Sequence, residues 1–204
     1  MPRLVSVYRR FVASTRGVAA IEFAMILPVM LILLLASFDG GRAIAVYMKV
    51  RSATYTLAAI TNQYTTIQST DMASIVGATS VVLAPFSSSP VVVTISQIKV
   101  SSASKATVSW SYSLNGTALT QTSSVTLPAA LFSNNSCGTY PCYLIFGQVS
   151  YTYTPSFGYF GKGGIVLSDS IYVTPRSTMC ILYPPENVTT TPITSPSSPS
   201  PPAC

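Results

Sequence analysis

The chain has 204 residues, with 11 Lys and Arg, 5 Asp and Glu, no His and a formal net charge of +6; 49% of it is hydrophobic and only 8% charged. That length gives room for one membrane segment and one domain of roughly 100–150 residues. So small a charged fraction suits a membrane-tethered or surface-exposed protein, and the missing histidine removes the commonest general base and metal ligand, which leaves an enzyme little to work with.

The positive charge is unevenly placed. Arg3, Arg9, Arg10, Arg16, Arg42, Lys49 and Arg51 supply seven of the 11 bases, all within or close to the apolar N-terminal stretch. From Ser52 onward, Lys99, Lys105, Lys162 and Arg176 face Asp71, Asp169 and Glu186, leaving +1. No basic patch with interleaved aromatics remains for nucleic acid, so the charge reads as membrane topology.

Residues 1–17 form a basic leader with four Arg and no acid. Val18 to Phe38 follows as a 21-residue run whose one charge is Glu22. As a helix it covers roughly 31 Å, the thickness of a bilayer's hydrocarbon core, and is read as a transmembrane helix in contact with the lipid bilayer. A carboxylate one turn inside that boundary wants a cation. Two sources are open: Glu22 snorkels to the headgroups or meets Arg16, or the chain is cut after Gly17. In the second case Val18 gains an α-amino group, and the Glu22 carboxylate of one subunit neutralises the amine of its neighbour. Such a cut lies before the apolar run and leaves the helix on the product, unlike removal of a secretory signal peptide.

At Arg16-Gly17, then Val18-Ala-Ala-Ile-Glu22-Phe23 running into a long apolar helix with Pro28, the sequence resembles the prepilin processing site of type IV pilins. The closest resemblance is to TadE/TadG-like pseudopilins of the tight-adherence (Tad/Flp) pilus system. It extends through Gly41-Arg42-Ala43 and Tyr47, and weakly to Tyr151-Thr-Tyr153-Thr-Pro155 and Thr174-Pro175-Arg176. The resemblance implies a minor pilin-like subunit of the bacterial inner membrane, single-pass, with its N-terminus cytoplasmic and its C-terminal domain extracytoplasmic. It implies processing between Gly17 and Val18 by a prepilin peptidase, partnership with other pilin-like subunits of a pilus assembly machine, subunit pairing through Glu22, no catalytic activity and no cofactor. Pro28 removes a helical hydrogen bond and predicts a kink. The rival is a single-pass anchored extracytoplasmic binding or adhesion domain that is never processed.

After Asp39-Gly40-Gly41 the helical pattern resumes. Ala43, Val46, Val50, Ala53, Leu57 and Ile60 recur at intervals of 3 and 4, which predicts an amphipathic stalk helix over 39–62 with one apolar seam. Residues 63–84 read as a connecting segment, and a β-rich domain is expected over 85–182. Its strand candidates are Val91 to Val100 after Pro90; Val108, Trp110, Tyr112 and Leu114 alternating with serines up to an Asn115-Gly116 hairpin turn; Val149, Tyr151 and Tyr153; and Ile165 to Val173. An antiparallel sheet packed against the stalk helix makes the fold class α+β, membrane-anchored, with a long N-terminal transmembrane and stalk helix.

Cys137 and Cys142 bracket Gly-Thr-Tyr-Pro, and Cys180 and Cys204 flank the C-terminal stretch. Four cysteines allow three pairings, of which Cys137–Cys142 with Cys180–Cys204 is preferred for an extracytoplasmic domain. With no His and no CxxC spacing, no metal site is expected. Gly161-Lys162-Gly163-Gly164 lacks the upstream glycine and following Ser/Thr of a phosphate loop and reads as a turn. Tyr151, Tyr153, Phe157, Tyr159 and Phe160 either fill the sheet's core or form an adhesive, subunit-contacting face. Residues 183–204, with seven prolines among Ser and Thr, are expected to be a disordered tail.

Overall fold

The computed structural model describes residues 17–89, 91–128, 131, 139–156 and 164–183. The leader residues 1–16, Cys137, Cys204, the aromatic group Phe157, Tyr159 and Phe160, the turn at 161–163 and the tail from 184 onward lie outside the described residues. The chain divides into two units, Met1–Arg42 and Ala43–Cys204.

One helix, α1 (Val18–Thr61, 44 residues), runs without a break through Pro28 and through Gly40-Gly41. In the first unit every described residue up to Leu34 is exposed. Leu, Met and Ala hold the helix there because they lose little rotamer freedom, and a helix satisfies its own backbone in lipid. Among the described residues it is the one helix long and apolar enough to cross a membrane.

In the second unit the expected seam is present: Val46, Val50, Ala53 and Leu57 are fully buried, flanked by half-buried Ala43 and Ile60. They pack into one core with the sheet described next. The buried hydroxyls that interrupt this face are satisfied within the helix, Thr54 Oγ1 donating to Val50 O at 2.9 Å and Thr61 Oγ1 to Leu57 O at 2.7 Å.

The stretch read as a connecting segment carries a second helix, α2 (Ser69–Leu83). Asp71 in its first turn accepts the Gln68 N–H at 3.0 Å, and Met72, Ile75, Val76, Thr79 and Leu83 are buried against the same core. Five Ser and Thr and a Gly in fifteen residues lower helix propensity enough to mask the pattern, and tertiary burial overrides it.

Four antiparallel strands follow: β1 (Val91–Ser102), β2 (Lys105–Leu114), β3 (Cys142–Tyr153) and β4 (Ile165–Val173), in sheet order β2-β1-β3-β4. Val91, Val93 and Ile95 of β1, Trp110 of β2 and Ile145, Val149, Tyr151 and Tyr153 of β3 join α1 and α2 in the main core. Tyr151 and Tyr153 are therefore core residues, and the adhesive reading falls for them.

Two details of β2 differ from the sequence reading. Trp110 pairs with Gln97 while Val108 pairs with Ile98, so Ser109 is an extra residue. Paired residues share a face, so this bulge puts Val108 in phase with Ile98 and opposite Trp110. Ile98, Val100, Ala106, Leu127 and Leu144 form a second, smaller core on that side.

Nor does Asn115-Gly116 close a regular two-strand hairpin. Asn115 adopts φ 56° and donates Nδ2 to Val91 O at 2.9 Å. A Cβ on Gly116 would lie 2.6 Å from Val92 Cγ1, so only glycine fits. The chain then returns along the outer edge of β2 as an irregular segment, with Val108 N to Ser123 O at 3.0 Å and Val125 N to Ala106 O at 2.9 Å. That return covers an edge otherwise open to strand addition.

The C-terminal stretch is clasped rather than trailing. Leu182 bridges the α1–α2 linker in parallel, with Ile67 N to Leu182 O at 2.9 Å and Leu182 N to Thr65 O at 3.1 Å. Ile181 N donates to Gln97 Oε1 at 2.7 Å, and Trp110 Nε1 donates to Ile181 O at 2.9 Å. Tyr183, assigned to the tail from sequence, is 1% exposed with its ring 5.2 Å from that of Trp110. The tail therefore begins later than read.

Two outcomes are expected in thermal unfolding of the detergent-solubilised chain. A Cβ on Gly147 would stand 3.6 Å from Leu57 Cδ2 and 3.7 Å from Ala58 Cβ, ordinary contact. Gly147→Ala is therefore near neutral, whereas Gly147→Leu overpacks the helix–sheet contact and costs about 1–3 kcal/mol. Gln97→Ala leaves the buried Ile181 N–H without its acceptor and costs about 1–3 kcal/mol.

Candidate processing and assembly site

Gly17 sits immediately before α1, and Val18 is the first residue of the helix. Both are exposed, and a Cβ on Gly17 would meet nothing within 4 Å. The fold itself therefore gives no reason for glycine at this position; any requirement comes from whatever acts on the chain there. The Gly17–Val18 bond lies where helical geometry begins, the place at which the first backbone N–H groups of a helix have no intrahelical acceptor and carry partial positive charge.

Glu22 lies four residues after Val18, so the two share one face of α1, separated by one turn of roughly 5–6 Å. Glu22 is exposed. No acidic residue occupies the first turn, which leaves its carboxylate as the first acid after the junction. Pro28, ten residues past Val18, is inside α1 and has no N–H to give the Ala24 carbonyl. Phe38 and Arg42 end the first unit, with the guanidinium 5.8 Å from the ring centroid.

The structure brings Gly17, Val18 and Glu22 together on one short stretch and keeps the cysteines elsewhere, in the second unit. Cys142 opens β3, and Cys180 is 3% exposed beside the clasp. Neither is a free thiol. No group of three or more His, Cys, Asp or Glu that could hold a metal ion occurs among the described residues.

A surface the sequence reading did not single out lies on α1 past the apolar run. Ile44, Tyr47, Met48 and Tyr55 are 59%, 40%, 65% and 47% exposed. Ile44, Met48 and Tyr55 fall about half a turn away from the Val46–Leu57 seam at 3.6 residues per turn. Their spacing of 4 and 7 was available in the sequence, behind the stronger seam.

The span from the junction to this surface coincides with a known family. Residues 17–59 match the model of the TadE-like protein family. The TadE-like segment thus starts at Gly17, contains Glu22 and Pro28, and ends two residues before the end of α1. It points to a component associated with the Tad pilus, anchored by one apolar N-terminal helix and interacting with subunits of the pilus machinery. The TadE-like family is not an enzyme family. No curated protein and no solved structure matches the chain.

Because Glu22 is exposed, its role is separable from folding. Glu22→Ala is expected to move the stability of the second unit by less than about 0.5 kcal/mol, measured by thermal unfolding in detergent.

Proposed function

We propose that the chain is a minor pilin-like subunit of a Tad-type pilus or secretion machine, cut by a prepilin peptidase between Gly17 and Val18. The observation that carries this reading is an exposed glycine with no packing role, directly before an exposed apolar helix, at the first residue of the TadE-like segment. A peptidase needs an accessible backbone, and glycine lets that backbone enter a narrow active site.

In this reading the N-terminus starts in the cytoplasm, the helix spans the inner membrane and the β-rich domain stands outside. After the cut, Val18 carries an ammonium at the positive end of α1. Glu22 of a neighbouring subunit neutralises it as the helices pack in a low-dielectric setting. Pro28 loosens or kinks the helix as subunits pack. The chain supplies no catalysis of its own.

We also assign the disulfides Cys137–Cys142 and Cys180–Cys204. An extracytoplasmic position supports them, as does the absence of a free thiol at Cys142 and Cys180. The second bond would tie the end of the Pro-rich stretch back to the clasp at Ile181 and Tyr183. Peptide mapping without reduction should recover both pairs; a Cys142–Cys180 peptide would refute the pairing.

The functional test uses two variants in cells with an active prepilin peptidase. Gly17→Val is expected to accumulate as a precursor heavier by the 17-residue leader. Glu22→Ala is expected to be cut normally yet fail to enter pilus assemblies, since leaving one member of a buried ion pair alone costs about 3–5 kcal/mol. An unsubstituted chain that keeps its leader would favour the unprocessed anchored binding domain instead; normal processing of Gly17→Val would remove the role given to Gly17, and normal assembly of Glu22→Ala the role given to Glu22.

A further inference from the structure

We infer that Gly40-Gly41 is an opening point of α1, where the helix releases its backbone hydrogen bonds so that the apolar span can bend or tilt while the second unit stays folded. The span's place in a membrane is taken from the proposed function.

The observation is a cost with no return in the fold. α1 runs unbroken through both glycines, yet each glycine makes a helix about fourfold less favoured than alanine would. Gly116 has no room for a Cβ, and Gly164 adopts φ 74°. Neither reason applies here. A Cβ on Gly40 or Gly41 would meet nothing within 4 Å, and both residues are exposed. Alanine would fit at both positions and strengthen the helix. Gly77 in α2 has equally open surroundings, but it stands alone, and Met72, Ile75, Val76 and Thr79 hold its helix to the core.

Position gives the weakness a use. Before the pair, opening a turn would strand N–H and C=O groups in hydrocarbon, where each is costly. From Val46 onward it would pull a fully buried seam out of its core. Asp39 is buried on one side of the pair and Ala43 half-buried on the other, and the two residues between have no side chain to be held.

Gly40 and Gly41 lie two and three residues past Phe38, roughly 3–5 Å along the axis. That is the level of the headgroup layer, about 5–8 Å thick, whose polar groups and water can take up the freed backbone. The division of the chain into two units falls directly beyond, between Arg42 and Ala43. Opening here frees the N–H groups of residues 40–45, which reach back to the carbonyls of residues 36–41. It spares both the span and the seam.

The test is hydrogen exchange on the full chain in lipid nanodiscs, with Gly40→Ala/Gly41→Ala and Gly40→Asn/Gly41→Asn as the two variants. Amides 40–45 of the unsubstituted chain are expected to exchange faster than those of 22–38 and 46–57. The alanine pair should slow amides 40–45 about fifteenfold, two fourfold effects multiplied. It should leave thermal unfolding of the second unit unchanged, since its methyl groups touch nothing. Asparagine carries a side chain but is a weak helix former, so the asparagine pair should keep exchange fast. In cells the alanine pair is expected to enter pilus assemblies poorly and the asparagine pair to enter them far better.

Amides 40–45 as slow as those of the seam, or no slowing by the alanine pair, would overturn the inference. Full assembly of the alanine pair would also overturn it, as would equal failure of both pairs, which points to close packing against bare backbone instead. N-terminal sequencing of the nanodisc sample separates this inference from the processing reading. A chain that keeps its leader yet exchanges quickly at 40–45 sinks cleavage and leaves the opening point standing, while a cut chain protected there sinks only the opening point.

Discussion

The second unit depends on the contact between one face of α1 and the sheet. Val46, Val50, Ala53 and Leu57 are fully buried, and Gly147 in β3 lets the helix approach without a side chain between them. Val46, Val50 and Leu57 each contribute about 1.5–3 kcal/mol and Ala53 less, so together they rival the net stability of a small domain before chain entropy is subtracted. Without the sheet, that half of α1 would expose an apolar seam to water. Without α1, the sheet would have lost much of one core face.

The first half of the same helix follows the opposite logic. It is apolar on all sides and exposed on all sides, a composition stable only in lipid or among other such helices. A single 44-residue element therefore joins a segment that needs a membrane to a segment that needs its own domain. The TadE-like match covers this junction and little else. The apolar helix is thus the part that matches a family.

How legible this was depended on the range of the interaction. The seam was readable because Ala43 to Ile60 keep helical spacing without interruption. The four strands were readable by composition, although the first half of β3 was missed because Leu144 to Phe146 do not alternate. α2 was hidden by its Ser and Thr content. The Ser109 bulge could not be seen, since Val108, Trp110, Tyr112 and Leu114 alternate perfectly in sequence and only pairing with Gln97 and Ile98 breaks the phase. The clasp of Ile181 on Gln97 and Trp110 joins residues 71 and 84 positions apart and leaves no local signal. Gly17, Val18 and Glu22 were legible as a motif; the structure adds that Gly17 has no packing duty of its own.

The central claim is that this glycine exists for a peptidase and that Val18 becomes the end of the working protein. The most direct measurement is the N-terminal residue and intact mass of the unmodified chain recovered from its native membrane. A chain starting at Val18, lighter by the 17-residue leader, is expected. A chain starting at Met1 or Pro2, in cells whose prepilin peptidase is active, would contradict the account.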